Sequence, residues 1–152
     1  MSDLSPWRVL IVDDRPAFAA EVRRIASLFN CNLVAVPDLI GAIRVIRRMP
    51  PHLILLDLHL PSDDEWEPSP ELQKKYDPTQ KSLAFCEIVT THPTLSSITI
   101  CVVSVDNQPA QMETVKQAGA HAFCLKSDFN VDFFEKLLQH IASSFTPSTS
   151  PD

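Results

Sequence analysis

The chain has 152 residues, 45% hydrophobic and 21% charged, enough for one globular domain that buries its own core. Its 13 basic and 19 acidic residues leave a net charge of −6. The one basic cluster, Arg44, Arg47 and Arg48, reads as a solvated helix face, which argues against nucleic-acid binding because that rests on many phosphate contacts.

In chain order, Arg8 to Val12 reads as a first strand closed by Asp13 and Asp14. Pro16 then signals a helix start, and Phe18, Val22, Ile25 and Phe29 recur at helical spacing and should face the sheet. Asn32 to Val36 is a second strand. Pro37-Asp38 opens a helix with Leu39, Ile43 and Ile46 on one face, stopped by Met49-Pro50-Pro51. Leu53 to Leu56 is apolar throughout, as in a central strand covered on both faces, and Asp57 closes it. From Pro61 to about Gln80 the periodicity fails. This stretch is acidic, punctuated by proline and long for a loop inside a compact domain, with Trp66 and Tyr76 available to pin it.

A helix from about Thr79 to Thr91 follows, with Leu83, Phe85, Ile88 and Val89 as its apolar positions. Ile98 to Val103 is a fourth strand, closed by Ser104. Pro109 begins a helix that Gly119 caps, and His121 to Leu125 is a fifth strand closed by Lys126. Ser127 or Asp128 should cap the last helix, which carries Phe133, Phe134, Leu137, Leu138 and Ile141. Residues 145–152 form a Ser/Thr/Pro tail expected to fray. Five strands alternating with five helices predict an α/β fold, a three-layer doubly wound sandwich around a five-stranded parallel sheet.

Composition narrows the chemistry. Gly41 and Gly119 are the only glycines, so the glycine-rich phosphate loops of dinucleotide-binding and P-loop proteins are absent. Cys31, Cys86, Cys101 and Cys124 contain no C-x-x-C and read as reduced thiols. No apolar run approaches the roughly 20 residues that span a bilayer. A cytoplasmic protein without membrane insertion is expected.

The carboxyl ends of the strands carry the remaining signal. Sites of parallel sheets lie beyond those ends, and there the sequence puts Asp13, Asp14, Asp57, Ser104 and Lys126. Each has a plainer reading by itself: a capping turn for Asp13-Asp14, a solvated loop lysine for Lys126, a turn or N-cap serine for Ser104. Asp57 is harder to explain away, since a carboxylate ending an all-apolar strand needs a partner. Three carboxylates on one rim repel one another unless a divalent cation joins them.

These motifs together resemble the receiver domain of two-component response regulators. Val9-Leu10-Ile11-Val12-Asp13-Asp14 is similar to that family's acidic pair after the first strand, and Leu55-Leu56-Asp57-Leu58-His59-Leu60-Pro61 to its phosphoacceptor segment. Val102-Val103-Ser104 falls at its switch hydroxyl, and Ala118 to Lys126 at its switch aromatic, Phe123, and its lysine. The resemblance implies a flavodoxin-like receiver domain over residues 7–144, with an atypical insertion at about 61–80. It implies a single-domain response regulator that signals by protein–protein contact. Asp57 would accept a phosphoryl group from a phosphohistidine donor, with Lys126 and Ser104 on the phosphoryl oxygens and Ser104 and Phe123 as the switch pair. Asp13, Asp14, Asp57 and the main-chain carbonyl of His59 would hold Mg²⁺, with Mn²⁺ as a substitute. Any catalysis would be limited to its own phosphorylation and dephosphorylation.

Implied partners are a sensor histidine kinase or histidine phosphotransfer protein, a downstream protein target, and a second copy through the last two helices and fifth strand. Alone, Phe123 is equally a core residue. Two rival site chemistries fit less well: Asp57-Leu58-His59 begins a cobalamin-binding D-x-H-x-x-G in which Ser62 replaces the glycine, and His59 breaks the D-x-D of haloacid-dehalogenase phosphatases. Three departures from the receiver pattern stand out: the long 61–80 stretch, Ser127 instead of proline after Lys126, and β-branched Val105 at the rim. A phosphorylation-independent protein-binding module is the competing function.

Overall fold

In a computed structural model of the chain, which describes residues 6–60, 66–106 and 108–145, five strands form one parallel sheet. They are β1 (Trp7–Val12), β2 (Cys31–Val36), β3 (Leu53–Asp57), β4 (Thr99–Ser104) and β5 (Ala122–Leu125), in the order β2-β1-β3-β4-β5. The helices are α1 (Pro16–Ala26), α2 (Leu39–Arg48), α3 (Pro70–Lys75), α4 (Lys81–Thr91), α5 (Pro109–Gln117) and α6 (Val131–Phe145). The expected three-layer α/β sandwich is the observed one. None of the described helices is long and apolar enough to cross a membrane.

The layers follow from the period-two alternation of strand side chains. Leu10, Val12, Ile54, Leu56, Ile100 and Val102 pack with α2, α4 and α5. Val9, Ile11, Leu53, Leu55, Cys101 and Val103 pack with α1 and α6. β3 and β4 are buried at every position. Each fully buried Leu or Ile there contributes about 1.5–3 kcal/mol relative to exposure, and that burial anchors the carboxyl ends where the polar residues stand. Cys86, Cys101 and Cys124 are buried free thiols, as expected. Burial pushes Cys86 up to about 12, so it stays protonated.

Local chemistry sets the boundaries. Pro16 occupies the first turn of α1. Asp38 caps α2 by accepting the Gly41 N–H at 2.8 Å, and a Cβ on Gly41 would stand 3.0 Å from that same Asp38 oxygen. Gly119, at φ 99°, ends the α5 turn where a Cβ would meet Thr90 Oγ1 at 2.4 Å.

Three expectations are corrected. The irregular 61–80 stretch contains α3 and a 3₁₀ turn at Pro78–Gln80, so the described residues form six α-helices, and α4 begins at Lys81 instead of Thr79. The last helix is capped by neither Ser127 nor Asp128: Lys126–Asp128 is itself a 3₁₀ turn, and Asn130 Oδ1 accepts the Phe133 N–H at 2.9 Å. β4 runs one residue later than expected and includes Ser104.

The insertion is pinned as its aromatics suggest. Trp66 meets Phe85 edge-to-face at 6.1 Å, and buried Tyr76 donates to Glu87 at 2.7 Å. Lys75 also reaches Glu87, at 2.9 Å, and Glu67 reaches Lys81, at 3.0 Å. Pro61 to Glu65, and the tail beyond residue 145, lie outside the described residues.

At the amino end of the sheet the same device occurs twice. His52, just before β3, donates its main-chain N–H to the Arg8 carbonyl, and its ring Nδ1 accepts the Arg8 N–H at 2.9 Å. His121, just before β5, does the same with Ile100 of β4, its Nδ1 accepting at 3.1 Å. Each ring replaces a ladder partner the neighbouring strand would otherwise lack. Burial, then the Arg8 charge, lowers the His52 pKa. Burial, then His140, lowers that of His121.

Candidate functional site

The sheet order changes direction between β1 and β3, and clefts at such points sit outside the carboxyl ends of the strands. β1 ends in Asp13-Asp14 and β3 in Asp57. In register Val12 stands beside Leu56, and Asp57 beside Val103 of β4. A cavity of about 430 Å³ opens here, lined by Asp14, Arg15, Asp57, His59, Leu60, Val105, Asp106 and Lys126.

Ligand oxygens of Asp13, Asp14 and Asp57 all lie within 4.8 Å of one another. Asp13 and Asp57 are buried and Asp14 is exposed. Lys126, arriving from the end of β5, places Nζ 2.7 Å from Asp13 and 3.4 Å from Asp57. Its ammonium also lies 5.4 Å from the centroid of the Phe18 ring. The His59 N–H donates to Asp57 at 3.0 Å, and the Arg15 N–H to Asp13 at 2.9 Å. Ser82, in the first turn of α4, donates its buried hydroxyl to the Asp57 carbonyl at 2.7 Å. That bond fixes the end of β3 from behind. Burial raises the Asp57 pKa most and Asp13 adds to it; the His59 N–H and Lys126 pull the other way without overcoming them.

Three carboxylates against one ammonium leave two uncompensated negative charges. A close pair such as Asp13 and Asp57 repels by about 3 kcal/mol at an effective dielectric of 20. All the donors are oxygen, which suits a hard divalent cation that keeps some of its water. The residues therefore fit the metal that the sequence implies.

Asp13, Asp14, Asp57 and Lys126 are thus brought together, with the His59 main chain bonded to Asp57. The other two site residues stand apart. Ser104 is fully buried, follows the strand partner of Asp57, and turns its hydroxyl to Asp106, donating at 3.4 Å and accepting the Asp106 N–H at 3.3 Å. Phe123 is half-buried against the core on the α5 side. Val105 is 67% exposed and lines the cavity. The His59 ring lies 3.8 Å from Asp106. Sequence reasoning missed Asp106, Arg15, Ser82 and the ring of Phe18. Only Asp106 had a usable signal, as an acid beside a strand-ending serine.

No protein-family model matches the chain, and no curated protein matches it. Its fold is that of signal receiver domains in solved structures. The receiver domain of a signal transduction histidine kinase from Syntrophus aciditrophicus superposes with a TM-score of 0.71 at 19% identity, covering 96% of this chain and 97% of that one. The receiver domain of a DNA-binding response regulator from Colwellia psychrerythraea gives 0.71 at 16%, over 90% and 98%. The response regulator Rcp1 in its Mn²⁺-bound form gives 0.62 at 20%, over 97% and 99%.

Proposed function

We propose that the chain is a receiver-type phosphorylation switch over residues 7–144, accepting a phosphoryl group on Asp57. The observation that carries this reading is the buried Asp57 carboxylate at a strand end, within 4.8 Å of Asp13 and Asp14 and in contact with Lys126. Such a site neutralises charge, which is the first requirement when a phosphoryl anion meets a carboxylate. In the transfer, the P–N bond of a phosphohistidine breaks as an Asp57 oxygen bonds to phosphorus. The imidazole leaves with the electron pair and is protonated by solvent.

Asp13, Asp14, Asp57 and the His59 carbonyl would hold Mg²⁺ or, as in the Mn²⁺-bound Rcp1, Mn²⁺. The metal supplies Lewis-acid neutralisation of the phosphoryl oxygens. Lys126 offsets the remaining charge as a point cation. Ser104 and Phe123 form the switch pair: the Ser104 hydroxyl leaves Asp106 for a phosphoryl oxygen, and Phe123 moves into the space it frees. A ligand shifts such an equilibrium only by its preference for one state. Partners on this reading are a histidine kinase or phosphotransfer protein, and a downstream target reached through α5, β5 and α6, the face also available to a second copy.

The test is intact-mass analysis after incubation with Mg²⁺ and acetyl phosphate. A gain of one phosphoryl group, lost in Asp57→Asn and on metal chelation, is expected. One observation favours the rival reading of a phosphorylation-independent binding module: the Ser104 hydroxyl is buried on Asp106 behind an exposed Val105. No mass gain from either acetyl phosphate or a phosphorylated histidine phosphotransfer protein would decide for the module.

A further inference from the structure

Lys126 is the only ammonium group in contact with the buried carboxylates among the described residues, and it sits on a short turn. Lys126–Asp128 is a single 3₁₀ turn without proline, closed by the Phe129 N–H donating to the Lys126 carbonyl at 3.3 Å. A lysine has four rotatable side-chain bonds and three rotating donors, so a turn of this kind does not aim its ammonium. The aim has to come from what the side chain touches.

On one side it touches Asp13 and Asp57. On the other it lies over the face of Phe18, 5.4 Å from the ring centroid and within the range of a cation–π contact. Phe18 is buried at 6% exposure, and the lysine side chain is 15% exposed, so water screens the contact little. Phe18 is itself held: Phe129 meets it edge-to-face at 5.4 Å and 80°, and Phe129 packs in turn on Phe133 and Phe134. The contacts close a loop. Lys126 bonds through its carbonyl to Phe129, the Phe129 ring braces Phe18, and the Phe18 ring faces the Lys126 ammonium.

We propose that Phe18 is the positioning residue for Lys126. Its ring face holds the ammonium toward the carboxylate pocket when Asp13 is engaged elsewhere, as it would be with metal bound. This deepens, and rests on, the phosphorylation reading. Phe18 touches no reacting atom and acts only through the lysine. A neutral π face suits that task, because a carboxylate there would bind the ammonium permanently and add charge to a site already too negative.

The experiment compares the unmodified 152-residue chain with Phe18→Leu, which keeps apolar bulk without a ring, and Phe18→Tyr, which keeps the ring. Two quantities are read: the rate of phosphoryl uptake from acetyl phosphate with Mg²⁺, and the NMR shift of the Lys126 ε-methylene protons, which a ring face shields. Phe18→Leu should lower the rate at saturating donor about three- to tenfold, the kinetic equivalent of one cation–π contact. The donor KM should be unchanged and the shielding lost. Phe18→Tyr should keep the rate within about twofold, with the shielding intact.

Pentafluorophenylalanine at position 18 keeps a flat ring, somewhat larger than phenyl, and reverses its charge distribution, so its rate should fall even where Phe18→Leu folds poorly. A full rate in the fluorinated protein overturns the proposal, as does Phe18→Tyr failing like Phe18→Leu, or no shielding in the unmodified protein. If the unmodified protein takes up no phosphoryl group from acetyl phosphate or from a phosphorylated histidine phosphotransfer protein, the switch reading fails. The shielding alone then decides whether Phe18 holds the ammonium.

Discussion

Replacing His52 by Phe tests whether the amino rim of the sheet depends on neutral histidines. The ring keeps its shape against Trp7, whose edge-to-face contact with His52 spans 5.6 Å, but the acceptor for the Arg8 N–H is gone. Leaving this part-buried N–H unpaired costs up to about 1–3 kcal/mol. For a chain of this size that is roughly 2–12 °C in Tm. Acid should do the same to the unmodified protein at both positions, because an imidazolium has no lone pair to accept with. The charged neighbours of the two rings, Arg8 and His140, are bases that offer no compensation.

The sign follows from linkage. A histidine whose pKa is lowered in the folded state binds fewer protons there than in the unfolded chain, so stability rises with pH. The contribution is complete above the ordinary value of about 6.5 and is lost as pH falls from there toward the lowered folded value. Asp57 has the opposite sign: its raised pKa favours the folded state as pH falls, so the measurement belongs in an Asp57→Asn background. Urea unfolding from pH 7.5 to 5.0 should show stability declining below about pH 6.5, and the decline should be largely abolished in the His52→Phe, His121→Phe double variant. An unchanged slope in the double variant would refute the reasoning.

Two further substitutions probe other parts of the argument. Gly119→Ala places a Cβ at φ 99° against Thr90 Oγ1 and should cost at least about 1–3 kcal/mol in urea unfolding; adding Thr90→Ala should relieve only the steric share. Trp66→Ala removes the ring seated on Phe85 and should speed limited proteolysis within residues 66–80 while costing only about 1 kcal/mol of global stability, so cooperative loss of the whole fold would show the insertion to be part of the core.

The sheet was legible because β1, β3, β4 and β5 are short apolar runs ended by a polar residue, a pattern that burial of β3 and β4 on both faces enforces. The meeting of Asp13, Asp14, Asp57 and Lys126 was legible for the same reason, since parallel strands deliver their ends to one rim. α3 was not: it buries none of its residues and so leaves no apolar period. The helix cap at Asn130 was missed because Ser127, Asp128 and Asn130 all suit the role. Ser127 and Asp128 lie inside the 3₁₀ turn that precedes the helix, and Asn130 is the one that meets its first turn. Phe18 was correctly read as facing the sheet. That its ring also meets an ammonium from the far end of the chain is a tertiary fact that helical spacing does not encode. The engagement of Ser104 with Asp106 likewise depends on the path of the backbone after β4.

The way the insertion is fastened bears on how this scaffold could be altered. An indole, a phenol and two ion pairs all end on α4, at Phe85, Glu87 and Lys81. Leu72 and Tyr76 also pack into the core there, so a replacement segment of different length or specificity that keeps those two contacts should leave the register of the sheet unchanged. For protein engineers, residues 66–80 are therefore the natural place to graft a new recognition element beside the acidic cavity.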